Sequence, residues 1–229
     1  MTSGPQVNFQ RARSAEQREA RKLAILAVAA QLLDELPLSE ISLRELSRRV
    51  GLSKTNVVRY FETREAVYFE LLNREFDSWL AGLAEELRSC APASAKEVVD
   101  VWARSLAARR SLCELLSSLG TELERNISAE AVRSFKLVHQ DAQLRLAHLV
   151  RGHIPDLTES AARELVSLSI VCTAGLWPFA HPFPAVAEAV RAPELAHHRV
   201  DFAQRLGRSL HVAVTGLLAL SSRGPAPGA

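Results

Sequence analysis

Cysteine is scarce in this chain. Cys90, Cys113 and Cys172 are odd in number, far apart and in no Cys-x-x-Cys spacing, which excludes a disulfide framework and a thiolate metal site. A reducing cytosol is the expected compartment. Glycine and proline are sparse as well, ten of each in 229 residues, and between Leu38 and Trp177 the only prolines are Pro92 and Pro155. Long stretches are therefore free to be helical. Net charge is nearly missing, since 28 Lys and Arg against 26 Asp and Glu leave +2. A global field that would fix the chain on nucleic acid or membrane is excluded, so a polyanion must be met by a local patch. Apolar runs long enough to span a bilayer are absent too: the uncharged stretch Leu165–Ala187 is broken by Pro178, Pro182 and Pro184, which leaves 13 residues to Trp177. The N-terminus has basic residues with no apolar segment behind them, unlike a secretory signal.

Motifs of catalysis and cofactor binding are lacking. There is no HExxH, GxSxG, GxxxxGK[ST] or GxGxxG. His139, His148 and His153 lie nine and five residues apart on one expected helix, so they do not converge on an ion. The expectation is no catalytic residue, no metal and no cofactor.

What is present is 48% apolar residues, enough for a sizeable core in one large or two small domains. Helix starts recur as capping boxes, Ser or Thr followed three residues later by Glu or Gln. Ser14-x-x-Gln17 predicts a helix over 14–36 with Leu23, Leu26, Ala30 and Leu33 on its apolar face. Ser42-x-x-Glu45 opens a short helix ending at Val50-Gly51, Ser53 caps another through Tyr60, and Thr63 starts a long one towards Ser89. Ser94-x-x-Glu97 and Ser111-x-x-Glu114 predict helices over 95–109 and 112–125. Ser128 starts one to His153, Thr158 one to Trp177, and a last helix covers 194–220, with a turn of helix at 185–190 inside a proline-rich connection. The fold class is all-α.

Charge is unevenly spread. Residues 1–64 hold eleven Lys and Arg against seven acids, a balance of +4, which leaves −2 for the rest. Within that basic head, two short capped helices joined across Val50-Gly51-Leu52-Ser53 have the form of a helix-turn-helix whose second helix can enter a major groove. Gly51 can take the positive φ of the tight turn. Leu43, Leu46, Val50, Leu52, Val57 and Phe61 are the candidate core holding the pair to the first helix.

The segment ILAVAAQLLDELPLSEISLRELSRRVGLSKTNVVRYFETREAVYFELL, residues 25–72, resembles the DNA-binding domain of TetR-family (tetracycline-repressor-like) transcriptional regulators. The resemblance implies that Lys54, Thr55, Asn56 and Arg59 face DNA, and that Ser42, Arg44, Tyr60 and Arg64 contact phosphates. Their chemistry agrees, because Asn reads adenine, Arg reads guanine and Thr contacts either base or methyl edges. Val58 departs from the family, which usually has a phosphate-touching Tyr there. For Lys54 and Asn56 the plain alternative is solvated helix surface, and for Arg11, Arg13 and Arg18 a disordered basic tail stands beside a groove-reaching arm.

Beyond residue 72 the chain resembles the family in size, helical content and final helices. The resemblance implies a homodimer on a pseudo-palindromic operator, a small-molecule effector and no membrane partner, with repression relieved by ligand. The expected domains are a flexible basic arm (1–13), the helix-turn-helix domain (14–65), a ligand-binding and dimerisation domain (66–220) and a disordered tail (221–229). Trp102, Glu122, Phe135 and Trp177 are the candidate effector contacts, although aromatics at helical spacing also suit an ordinary core. The stripe Phe202, Leu206, Leu210, Val214 and Leu217, with Ala203, Gly207 and Gly216, is expected to pair with the uncharged helix in a four-helix dimer contact. Two other function classes stand beside this one: a helical small-molecule carrier with no DNA role, and an enzyme with an unrecognised site.

Overall fold

The computed structural model describes residues 5–125 and 127–222, with side chains from residue 15 onward. Expectations for residues 1–4, for the Arg11 and Arg13 side chains, for Asn126 and for 223–229 lie outside the described residues.

Four helices build the head. Helix α1 (Pro5–Glu35) starts well before the expected Ser14 cap and stops ahead of Pro37. Its buried stripe is Ile25, Leu26, Ala29, Leu32 and Leu33, whereas Leu23 is 46% exposed. The predicted face was thus turned by about one position. A turn of tighter helix at Leu38–Glu40 leads into α2 (Leu43–Val50), capped by the Ser42 hydroxyl accepting from Glu45 N at 3.1 Å. Gly51 ends α2 with φ +74, and no atom lies within 4 Å of where a Cβ would stand, so conformation and not crowding selects glycine here. Helix α3 (Lys54–Val58) is capped by Ser53, and α4 (Arg64–Cys90) by Thr63. Leu46, Val57 and Phe61 are buried as expected, with Leu43, Val50 and Leu52 packed around them.

Helix α4 continues into the body, made with α5 (Ala95–Ala107), α6 (Arg110–Ser118), α7 (Ala129–His153), α8 (Glu159–Ala180), α9 (Pro184–Ala189) and α10 (Phe202–Ser222). Helix α10 packs on α5 and α8, α7 on α4 and α8, and α1 reaches down to α4 and α6. Ser94, Ser128 and Thr158 cap their helices as predicted.

Four expectations are corrected. Ser111 caps nothing: α6 begins at Arg110 without a side-chain cap and ends in a wider helical turn, Leu119–Leu123. Helix α8 runs past Trp177 to Ala180 with Pro178 inside it, because a proline in the last turn forfeits one bond and His181 N still reaches Trp177 O at 3.0 Å. The last helix starts at Phe202, since a separate tight turn occupies Pro193–His198. Finally, Phe202, Leu206, Leu210, Val214 and Leu217 are buried within the single chain. Gly207 belongs to the same inner face, where a Cβ would meet Asp100 Oδ1 at 3.1 Å and Ala103 Cβ at 3.5 Å. That stripe is core, not a surface left for a partner.

Candidate nucleic-acid interface

Helix α3 has one buried residue, Val57, seated in the head core. The short helix is thereby pinned on one side, and its phase turns Lys54, Thr55, Asn56 and Arg59 outward, all four exposed. Val58 stands between them at 40% exposure and Tyr60 is half-buried against the core. Ser42 and Arg44 are exposed at the start of α2. Among the described residues, Arg44, Lys54 and Arg59 make no ion pair or side-chain hydrogen bond, so their cationic heads are free for phosphate or base edges.

Several other basic residues of the head are occupied within the fold, whereas Arg18 and Arg21 on α1 are exposed and make no ion pair or side-chain hydrogen bond among the described residues. Arg48 pairs with Glu45 at 2.6 Å, and Arg49 forks onto Glu35 of α1, with Nη1 to Oε1 at 3.0 Å. These hydrogen bonds hold the Glu35 and Glu45 carboxyls below the usual carboxylate range. Lys22 lies over the Phe61 ring, 5.7 Å from its centroid. Arg64, expected as a phosphate contact, is engaged within the chain. Its Nη1 donates to the backbone oxygens of Leu38 and Ile41, each at 3.1 Å, and its Nη2 pairs with Glu65 at 2.9 Å. A guanidinium so engaged ties α4 to the Leu38–Ile41 turn.

The four candidate effector contacts are not brought together. Trp102 and Phe135 belong to an aromatic interior between α4, α5 and α7. There Phe69 stacks on Phe135 at 4.2 Å and Phe135 on His139 at 5.2 Å, while Phe76 meets His139 edge-on at 5.1 Å and Trp79 at 5.1 Å. Glu122 lies elsewhere, in a polar cleft of about 460 Å³ with Ser39, Arg64, Thr121 and Arg125, between head and body. Trp177 is buried in a third place, where its Nε1 donates to Glu114 at 2.9 Å, its ring stacks on His181, and it lines a larger cleft of about 780 Å³.

Sequence reasoning named Trp102 and His139 but passed over Tyr68, Asn73 and Thr173. Both ring nitrogens of His139, Oδ1 of Asn73, Nε1 of Trp102, the Tyr68 hydroxyl and the Thr173 hydroxyl are buried without a hydrogen-bond partner among the described residues. Such orphans are uncommon in a folded protein and call for a physical reason. Burial pushes the His139 pKa down to about 4, with Lys136 adding to the effect, so the ring is neutral at ordinary pH. A signal existed for Asn73: a lone amide in the spacing Phe69, Asn73, Phe76, Leu80 stands on an apolar helix face. No group of three or more His, Cys, Asp or Glu among the described residues could hold a metal ion. No described helix is long and apolar enough to cross a membrane.

Comparison with known proteins bears on this geometry. Residues 25–71 match the family described as "Bacterial regulatory proteins, tetR family", and residues 73–220 match "Tetracyclin repressor-like, C-terminal domain". The chain belongs to the TetR family of DNA-binding transcriptional regulators, a family that is not enzymatic. Both the carrier and the enzyme readings are thereby set aside. Among curated relatives, the chain is 43% identical over 68 residues to the HTH-type transcriptional regulator EthR of Mycobacterium tuberculosis, covering 28% of this chain and 32% of that one. It is 34% identical over 76 residues to RutR of Escherichia coli K12, covering 33% and 36%. These matches span about a third of the relatives' length. Among solved structures, a TetR-family regulator from Streptomyces coelicolor aligns with a TM-score of 0.58 at 18% identity, over 90% of this chain and 84% of that one. FadR of Bacillus subtilis, solved in complex with stearoyl-CoA, aligns with a TM-score of 0.56 at 13% identity, over 85% and 98%. At such identities the likeness is one of fold.

Proposed function

We propose that this regulator is a cytoplasmic repressor that binds a pseudo-palindromic operator as a homodimer and is released by a small molecule. The observation that carries the reading is the outward face of α3, Lys54, Thr55, Asn56 and Arg59 around the buried Val57 anchor. Asn56 and Arg59 offer bidentate contacts to adenine and guanine in a major groove, while Lys54, Arg44, Ser42 and Tyr60 set the register on phosphates. Arg64 acts behind them by holding α4 to the turn before α2.

For the dimer, the support lies on the outer faces of α8 and α10. Leu168 and Val171 on α8, and Val212 and Leu220 on α10, are exposed at 37%, 64%, 67% and 66%. Gly216 has no atom within 4 Å of a Cβ, which leaves room for a close helix approach. A two-fold pairing there would set two copies of α3 about one helical turn apart.

For the effector, support comes from the orphaned His139, Asn73 and Trp102 atoms inside an aromatic box, which a ligand with donors and acceptors would satisfy. Differential affinity for two arrangements of α4 would then shift the population away from the DNA-competent one. FadR, which shares the fold, was solved with a small molecule bound. The experiment is enrichment of genomic DNA fragments on purified protein. Wild type retains a discrete set sharing an inverted repeat, and an Asn56→Ala/Arg59→Ala double variant retains none of it; equal retention by both would overturn the reading.

A further inference from the structure

The cleft beside Trp177 is a different place from the aromatic interior. It opens where the end of α1 and the two residues after it (33–37) meet α6, the end of α8 and α9, and its volume of about 780 Å³ suits a drug-sized molecule. Two rings that the fold leaves in water, Phe179 at 70% and Phe183 at 74% exposure, line it together with Trp177. Exposed aromatics gathered at one concave site are a mark of a binding surface.

Charge decides what fits there. Glu114 is half-buried in the cleft, and among the described residues it has no cationic partner, only the neutral Trp177 indole donating to one oxygen. Asp34 on the same wall is exposed, where water solvates it, and Glu35 is taken by Arg49. Arg110 and Arg199 also line the cleft but are exposed, where water solvates a guanidinium at little cost. A partly desolvated carboxylate has the greater need of a counter-charge, and aromatic faces attract a cation as well. We infer that this cleft is a binding site for a lipophilic cation, whose charge is met by Glu114 and whose apolar body lies against Trp177, Phe179 and Phe183.

The occupant would touch the end of α1, whose Glu35 carries Arg49 of α2, so it would sit one ion pair away from the helix-turn-helix. The inference goes beyond the repressor reading and is tested without DNA, so the two fail separately. The probes are tetraphenylphosphonium and tetraphenylborate, matched in shape and opposite in charge, titrated calorimetrically into the full chain. Glu114→Gln keeps an amide oxygen for the Trp177 N–H, and Phe183→Ser changes an exposed residue, so both variants fold. The expectation is one phosphonium per chain, binding about tenfold weaker or worse for the borate and for each variant, with Leu144→Ser, at a distant exposed position, binding like wild type. Phosphonium that does not bind, borate that binds as tightly, or two variants that bind like wild type would each overturn the assignment. A Phe183→Ser protein that changes its sedimentation coefficient yet still binds phosphonium would assign the cleft to a second copy of the chain instead.

Discussion

Arg64 and Ile41 are joined across the helix-turn-helix: Nη1 of the arginine donates to the isoleucine backbone oxygen at 3.1 Å, and the same nitrogen reaches Leu38 O. The long helix that runs into the body is thus tied at its first turn to the segment that introduces α2. With its side chain 18% exposed, this contact is sheltered enough to count energetically.

Removing that tie should show in stability with no DNA present. Arg64→Ala is expected to lower unfolding free energy by about 2 kcal/mol, the range for hydrogen bonds to a charged donor, and to weaken every duplex about evenly. Urea unfolding monitored by circular dichroism checks it. An unchanged midpoint together with weakened DNA binding would return Arg64 to the phosphate-contact role that the sequence suggested.

Readout and positioning should separate at the surface. Asn56→Ala and Arg59→Ala should each cost about 1–3 kcal/mol and relax base preference at one position of each half-site. Arg44→Ala should instead reduce the salt dependence by about one ion with base preference unchanged. Selection from a randomised operator library distinguishes the two classes.

His139 makes stability depend on acid in a set direction. Its folded pKa, about 4, lies below the ordinary 6.5, so between those values the unfolded chain binds a proton that the folded one refuses. Stability from the neutral ring is complete above about 6.5 and is lost as pH falls towards 4. His139→Phe, which preserves a ring between Phe76 and Phe135, should flatten that part of the profile. The comparison is of urea midpoints for both proteins across pH 4 to 8; parallel profiles would contradict it.

Dimerisation and folding should respond at different residues. Leu210 is fully buried within one chain, so Leu210→Ala is expected to destabilise by about 2–5 kcal/mol, and Leu210→Glu to leave the protein unfolded. Val171, 64% exposed, tests the partner contact: Val171→Glu should keep its helical spectrum and sediment as a monomer where wild type is a dimer. A monomeric wild type would remove the α8 and α10 surface from the account.

Much of the fold was legible because it is written in local signals. Ser42 and Ser94, in capping boxes, and Ser53, Thr63, Ser128 and Thr158, read as simple caps, each cap the helix expected to follow them, and Gly51 takes the positive φ of the turn. The same signal misled at Ser14, which sits inside a helix already begun at Pro5, and at Ser111, one residue past the start of α6. A capping box reports what a residue can do, and not whether the chain is already helical before it. The outward face of α3 was legible once Val57 was placed in the core. Which side of α10 faces inward was not, since both sides carry apolar residues and only packing on α5 decides between them. Nor was the aromatic interior, where Asn73 and His139 are 66 positions apart in sequence and share a seam only because α4 and α7 pack together.

Operator recognition through α3 is tested most directly by fluorescence anisotropy of a selected inverted-repeat duplex and a scrambled one at rising salt. The account predicts a linear fall of log affinity with log salt for both, and at least a thousandfold preference for the selected duplex at physiological salt. A flat salt dependence, or equal affinity for the scrambled sequence, would contradict it.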